Sequence, residues 1–221
     1  MKVAVLFSGG KDSTYALYWA VNQGWDVEAL VSLTPERDDS YMFHKPCVEL
    51  AKLQAECMGL HIVEREVSGE KEKEVVELER VLSKLDVDGV VSGAVASEYQ
   101  KTRIDTVCHN LGLKSFAPLW HKKPVQLLRD ILHTGFEVMV VSVSAYGLGE
   151  EWLGKLLTEG DVSRLQELEK KYGVNPCGEG GEFETLVLDG PLFGKKLVIR
   201  ESRKKWGGQA GVLEVVKAEV A

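Results

Sequence analysis

Five apolar residues, Val3-Ala4-Val5-Leu6-Phe7, run directly into Ser8-Gly9-Gly10-Lys11-Asp12-Ser13, which runs directly into the helix-patterned segment Thr14 to Ala20. A buried strand, a glycine turn and a helix start in succession imply a turn at the carboxyl end of a sheet strand, where open α/β sheets bind ligands. Glycines let backbone approach an anion closely, and the first N–H groups of a helix have no partner within it. Lys11 adds a point charge, and Ser8 and Ser13 add hydroxyl donors. An ordinary strand–turn–helix corner explains the glycines and an aspartate near a helix start. It does not explain a lysine inside the turn with hydroxyls on both sides.

Two familiar phosphate loops are excluded by spacing. A Walker loop needs an earlier glycine where this chain has its apolar strand, and a dinucleotide fingerprint needs G-x-G-x-x-G, whereas here the two glycines are adjacent. The remaining pattern, S-G-G-x-D-S, resembles the pyrophosphate-binding loop of the N-type ATP pyrophosphatases, which split ATP into AMP and pyrophosphate.

Strand and helix patterns alternate through the first two thirds of the chain. Strands are expected at 27–33, 61–63, 89–91 and 138–143. Helices are expected around the apolar positions 47–58, 75–85, 99–111 and 124–132. The near-continuous apolar run 138–143 suits a strand covered on both faces, read here as the fifth strand of the parallel sheet. The expected fold is therefore α/β, a doubly wound parallel five-stranded sheet over residues 1–145. The pattern changes after about 145: two helix-like pieces at 150–157 and 161–172 precede strands at 185–188, 197–200 and 212–220. Residues 146–221 read as a smaller C-terminal α+β domain that caps the site or holds substrate.

The net charge of −7 argues against a broad nucleic-acid surface. No apolar run reaches the roughly 20 residues of a membrane span, and the chain opens directly into a strand with no cleavable signal pattern. A cytoplasmic location is expected. The four cysteines, Cys47, Cys57, Cys108 and Cys177, form no C-x-x-C pair, so zinc and iron–sulfur chemistry is disfavoured. The first three fall on apolar helix faces and read as core thiols.

Two further stretches carry chemistry. Cys177-Gly178-Glu179-Gly180-Gly181-Glu182-Phe183-Glu184-Thr185 sets three glutamates among three glycines. Carboxylates at such a loop can hold a metal ion, a cationic substrate or ammonium, or can accept a proton. Alone, the stretch would read as a polar surface loop; beside an ATP-splitting loop it gains a task. The other stretch, Gly93 to Arg103, begins at the end of the fourth strand. Gly93 allows close approach of a ligand. Arg103 suits a carboxylate or phosphate contact, Lys101 is balanced between such a contact and a solvated helix turn, and Tyr99 and Gln100 are candidate substrate contacts or packing residues.

Together, S-G-G-K-D-S, G-A-V-x-S-x-Y-Q-x-x-R and E-G-G-E-F-E-T resemble the diphthine–ammonia ligase family, a branch of the N-type ATP pyrophosphatases with an adenine nucleotide alpha hydrolase-like fold. The likeness runs from the first strand through Phe193, in the short form of the family. It implies ATP-dependent amidation of diphthine, a modified histidine of translation elongation factor 2. ATP would activate the carboxylate with release of pyrophosphate, and ammonium would supply the nitrogen as AMP leaves. On this reading Ser8, Gly9, Gly10, Lys11, Asp12, Ser13, Ser32, Leu33 and Gly93 hold ATP, and Asp12 holds Mg2+ or caps the helix. Tyr99, Gln100, Arg103, Glu179 and Glu182 hold substrate, and Lys11, Asp12, Glu182 and Glu184 are catalytic. The loop from Ser32 to Tyr41 is the expected wall for adenine or ribose, with His44 nearby. No glutaminase motif is visible, so free ammonium is the expected donor. Two rival readings remain: a tRNA thiolase working through Cys177 or Cys108, and a non-catalytic ATP or AMP sensor. The sequence leaves the oligomeric state open, a homodimer included.

Overall fold

The computed structural model describes residues 1–35, 50–67 and 71–221, the side chains of 35 and 71–73 aside. The first strand, β1 (Lys2–Leu6), is buried from Val3 onward, and α1 (Lys11–Asn22) follows after four residues. Then come β2 (Asp26–Pro35), α2 (Ala51–Met58), β3 (Ile62–Val67), α3 (Lys71–Leu82), β4 (Gly89–Val91), α4 (Glu98–Leu111) and β5 (Lys114–Phe116). The five strands form a parallel sheet in the order β3-β2-β1-β4-β5. Connections run one way from β1 to β3 and the other way from β4 to β5. The order therefore reverses between β1 and β4, and the loops after these two strands flank the crevice where such sheets bind ligands.

Beyond α5 (Pro124–His133) the chain enters a second, antiparallel sheet. It contains β6 (Glu137–Val143), β7 (Phe183–Asp189), β8 (Leu197–Trp206) and β9 (Gly211–Val220) in the order β7-β6-β9-β8, with α6 (Glu159–Tyr172) between β6 and β7. This corrects one expectation: the apolar run 138–143 belongs to the antiparallel sheet, not the parallel one. Its side chains alternate between two cores. Val138, Val140 and Val143 join the cluster that includes Leu127, Leu128 and Ile131 of α5, while Met139 and Val141 join Leu186, Leu188 and Leu213. Burial on both faces produced the continuous pattern, and such a pattern does not reveal strand direction. The fifth parallel strand is instead the three-residue β5, which is half-exposed and has one apolar residue. The change of sheet thus falls between Phe116 and Glu137, ahead of residue 145. A second correction concerns 150–157, which is not a helix: a 3-10 turn at Glu150–Trp152, with Trp152 and Leu153 buried in the core, leads into an antiparallel bridge from Leu156 to Met139 of β6.

α6 begins with a reciprocal cap: the Thr158 N–H donates to the Asp161 carboxylate, which also ion-pairs with Lys155. Cys57, Cys108 and Cys177 are buried free thiols, as core residues should be. Cys47, His44 and residues 36–41 of the expected adenine wall lie outside the described residues.

Candidate active site

The turn after β1 is built to hold its own polar groups in place. Gly10 is the N-cap of α1 and supplies no side chain, so Asp12 is not the cap; it sits in the first turn, where a carboxylate favours the helix dipole. The Ser13 and Thr14 hydroxyls both donate to the Gly10 carbonyl, at 3.1 and 2.9 Å. The Ser8 and Ser13 hydroxyls lie 3.2 Å apart, and the Gly10 N–H points to the Ser8 hydroxyl at 3.4 Å. Gly9 has φ +79°, and a Cβ there would lie 2.2 Å from the Gln54 Oε1, so both backbone and space demand glycine.

Lys11 is almost wholly enclosed. Its ammonium donates to Asp12 Oδ2 at 2.6 Å and to the Cys177 carbonyl at 2.5 Å, and it lies 5.7 Å from the centre of the Phe183 ring. Burial opposes its charge, but neighbouring acidic groups, Asp12 foremost, outweigh burial and hold its pKa above the usual lysine value. One lysine thus links the loop after β1 to the glutamate loop, 166 residues away in sequence. The other oxygen, Asp12 Oδ1, is buried and has no hydrogen-bond partner among the described residues.

A cavity of about 420 Å³ opens over this loop. Ser8, Gly10, Lys11, Asp12 and Ser13 form one wall, Ser92, Gly93, Ala94, Ser97, Gln100 and Ile104 a second, and Gly178 to Gly181 with Glu184 and Thr185 a third. Leu33 and Val31 of β2 also line it. Ser32 lies between them, buried on the opposite side of the strand, because successive strand residues face opposite ways. Gly93 touches the cavity, but its main constraint is packing: a Cβ there would lie 2.7 Å from the Ser13 N and 2.8 Å from the Asp12 carbonyl carbon. That closeness seats the loop after β4 against the first turn of α1.

The three glutamates have different surroundings. Glu182 does not line the cavity; its carboxylate accepts the Asn175 N–H at 2.9 Å and the Gly180 N–H at 2.8 Å, bracing the loop from within. Glu184 lines the cavity from the start of β7. Glu179 also lines it. Burial first, then the charge of Asp12, pushes its carboxyl up to about 7, against the opposing effects of Lys11 and the Ala96 N–H. Cys177 is buried, and its thiol donates to the Pro124 carbonyl at 2.9 Å. Burial pushes this thiol up to about 12, although Lys11 opposes the shift. Such a thiol is almost wholly protonated at neutral pH and is a poor nucleophile.

Arg103 and Tyr99 are not brought to the cavity. One turn apart on α4, they pair with each other, the guanidinium 3.5 Å from the ring centre. Lys101 is ion-paired with Asp105. Gln100 does line the site, its N–H capped by the Ser97 hydroxyl. Sequence reading missed Thr185, whose hydroxyl accepts the Lys11 N–H at 3.1 Å, and Gln54, a fully buried amide. Thr185 stood within a stretch already singled out; Gln54 sits in an ordinary helix pattern and gave no signal. Among the described residues no cluster of three or more His, Cys, Asp or Glu side chains is arranged to hold a metal ion, and no helix is long and apolar enough to cross a membrane.

The family model for the diphthamide synthase N-terminal domain matches residues 1–115, and that for the diphthamide synthase C-terminal domain matches residues 123–220. The diphthine–ammonia ligase of Rattus norvegicus is 38% identical over 225 residues, spanning 91% of this chain and 84% of the relative. That of Homo sapiens is 37% identical with the same coverage. That of Schizosaccharomyces pombe is 39% identical over 221 residues, spanning 91% of this chain but only 36% of the longer relative.

Proposed function

This chain belongs to the diphthamide synthase family, and we propose that it converts diphthine on translation elongation factor 2 to diphthamide, consuming ATP and ammonium. The observation that carries the reading is the convergence of three distant stretches, Ser8–Ser13, Ser92–Ile104 and Gly178–Thr185, on one cavity. Its volume lies within the range of small-ligand sites, roughly 300–1,000 Å³.

A diphthine carboxylate oxygen attacks the α-phosphorus of ATP, and the bond to the β-phosphate breaks with release of pyrophosphate. Ammonium gives one proton to a base to become ammonia, which attacks the acyl carbon of the adenylate; the bond to AMP breaks, and a second proton leaves the nitrogen for solvent. The departing pyrophosphate falls to the N-terminus of α1, the Gly10 N–H, the Ser8 hydroxyl and the Lys11 ammonium, with Ser13 holding the turn through the Gly10 carbonyl. Donors fixed before reaction stabilise developing charge without reorganising, and one such donor is worth about 100–1,000-fold in rate. Magnesium carried with ATP would neutralise charge on the phosphates. Asp12 Oδ1, buried and without a partner among the described residues, fits the one or two protein oxygens such a complex takes.

The glutamates divide by surroundings. Glu182 keeps the loop in shape. Glu184 presents negative charge to the trimethylammonium of diphthine. Glu179 recruits ammonium and takes its proton, since a carboxyl titrating near the working pH is the better base. Neither rival reading gains an observation: the Cys177 thiol is held protonated, and a bare nucleotide sensor has no use for carboxylates lining the cavity. Incubation with ATP, ammonium and diphthine-bearing elongation factor 2 tests the reaction. The expected result is one AMP and one pyrophosphate per acceptor amidated, with the acceptor's mass changed from acid to amide. ATP consumption without a mass change would overturn it.

A further inference from the structure

β7 is an edge strand of the antiparallel sheet, and an edge strand normally leaves a row of backbone groups unpaired. Here that edge meets the loop after β1. The Val187 N–H donates to the Gly9 carbonyl at 3.0 Å. Two residues earlier, the Thr185 hydroxyl accepts the Lys11 N–H at 3.1 Å. The Val187 carbonyl accepts from the Gln54 side chain at 2.7 Å, and the same Gln54 nitrogen donates to the Gly9 carbonyl at 2.9 Å. Gln54 comes from a third element, α2, and is fully buried. Its NH2 group therefore spans the two surfaces that must stay in register: the phosphate-holding turn and the strand that carries Glu184 and Thr185.

We propose that Gln54 is a positioning residue that sets the distance between the ATP-splitting loop and the acceptor side of the cavity, so that adenylate formation and amide formation occur across one fixed gap. The proposal rests on the ligase reading and deepens it. A closed junction shuts bulk water out and keeps the acyl adenylate aligned with the ammonia held at Glu179; a misplacement of about 1 Å is enough to cost about 100-fold in a positioned reaction. If the junction loosens, water takes the place of ammonia, the acyl–phosphate bond breaks, and the products are free carboxylate and AMP. ATP is then spent without amide.

The test compares the full chain with Gln54→Met, which keeps size and flexibility but has no N–H, and with Gln54→Asn, which keeps an amide on a side chain too short to reach both carbonyls. AMP and diphthamide are measured in the same reaction with diphthine-bearing elongation factor 2. Hydrogen exchange at the Val187 amide is followed alongside. Wild type should give close to one AMP per amide. Both variants should give about 3-fold or more AMP per amide, with amide turnover down about 10–100-fold, and with exchange accelerated at Val187 more than in the core of the parallel sheet. A general loss of stability would speed exchange everywhere and lower both products together. An unchanged AMP-to-amide ratio in both variants overturns the assignment, whether turnover is intact or both products fall equally. If one variant does not fold, the other decides. Absence of amide with the wild-type chain would instead overturn the ligase reading, and the coupling role with it.

Discussion

Glu179→Gln separates the cost of the site from its benefit. The carboxyl moves from 4.5 to about 7, mainly through burial and then through the charge of Asp12. A folded-state pKa above the unfolded one means that the native chain holds a proton the unfolded chain has already lost. Stability therefore falls as pH rises through this window, and the loss is complete above the folded pKa. At pH 8 the penalty for an ionised Glu179 is about 3 kcal/mol. Glutamine has nearly the same shape, keeps an oxygen for the Ala96 N–H and carries no charge. The variant should therefore be more stable than wild type, by a margin that grows by about 2 kcal/mol between pH 5.5 and 8. For a chain of this length that corresponds to about 4–8 °C in Tm.

The same substitution should remove the base. General-base catalysis contributes typically 100–10,000-fold, so ammonium-supported amide formation at pH 7 should fall by about 100-fold or more. Wild-type turnover at saturating ammonium should decline below about pH 7, as Glu179 takes up its proton; the variant should lack that inflection. Hydroxylamine is already uncharged at pH 7 and needs no recruitment as a cation, so hydroxamate formation should survive in the variant. Scanning calorimetry at several pH values and parallel assays with the two nucleophiles give the answer. Equal loss with ammonium and hydroxylamine, or a variant less stable than wild type at pH 8, would refute the reasoning.

Other substitutions probe the remaining walls. Lys11→Ala should abolish pyrophosphate release, by 100-fold or more, and should also destabilise, because Asp12 and the Cys177 carbonyl lose their buried partner; pyrophosphate assay and thermal melting report the two effects. Gly93→Ala places a methyl group 2.7 Å from the Ser13 N, so it should cost about 1–3 kcal/mol and raise KM for ATP, checked by denaturation and kinetics. Cys177→Ala should retain amide formation within a few-fold, since Lys11 uses the Cys177 carbonyl and not the thiol; loss of AMP formation would reopen sulfur chemistry. Arg103→Ala should leave KM for the protein substrate within about 2-fold, because its guanidinium is stacked on Tyr99.

What the sequence disclosed and what it withheld follow from the range of each interaction. The turn after β1 was legible because its neighbours in sequence are its neighbours in space: strand, glycines and helix start are contiguous, and spacing alone separated it from other phosphate loops. Gln100 and Gly93 were legible for the same reason, since they follow a strand end. The strand 138–143 was found but put in the wrong sheet, because an apolar run records burial on both faces and not strand direction. β5 gives no signal because Lys114-Ser115-Phe116 has a single apolar residue, whereas the equally short β4 is apolar and buried throughout.

The glutamate loop shows where reading by type stops. Glu179, Glu182 and Glu184 look interchangeable in a stretch rich in glycine, and by residue type each reads equally well as a substrate contact or a catalytic group. What separates them is backbone geometry that no composition encodes. The Asn175 and Gly180 N–H groups converge on Glu182 and use both of its oxygens within the loop. That bracing leaves Glu179 on the cavity side, facing Asp12 and Lys11. Glu182 is then needed for the site without lining the cavity itself. Glu182→Gln still offers one oxygen acceptor, but it sets an NH2 donor against one of two backbone N–H groups. It should therefore lower ammonium and hydroxylamine reactions together, the opposite of the split expected at Glu179. Matching losses at both positions would mean that the loop acts as one charged unit, and that the division of labour argued from its hydrogen bonds is wrong.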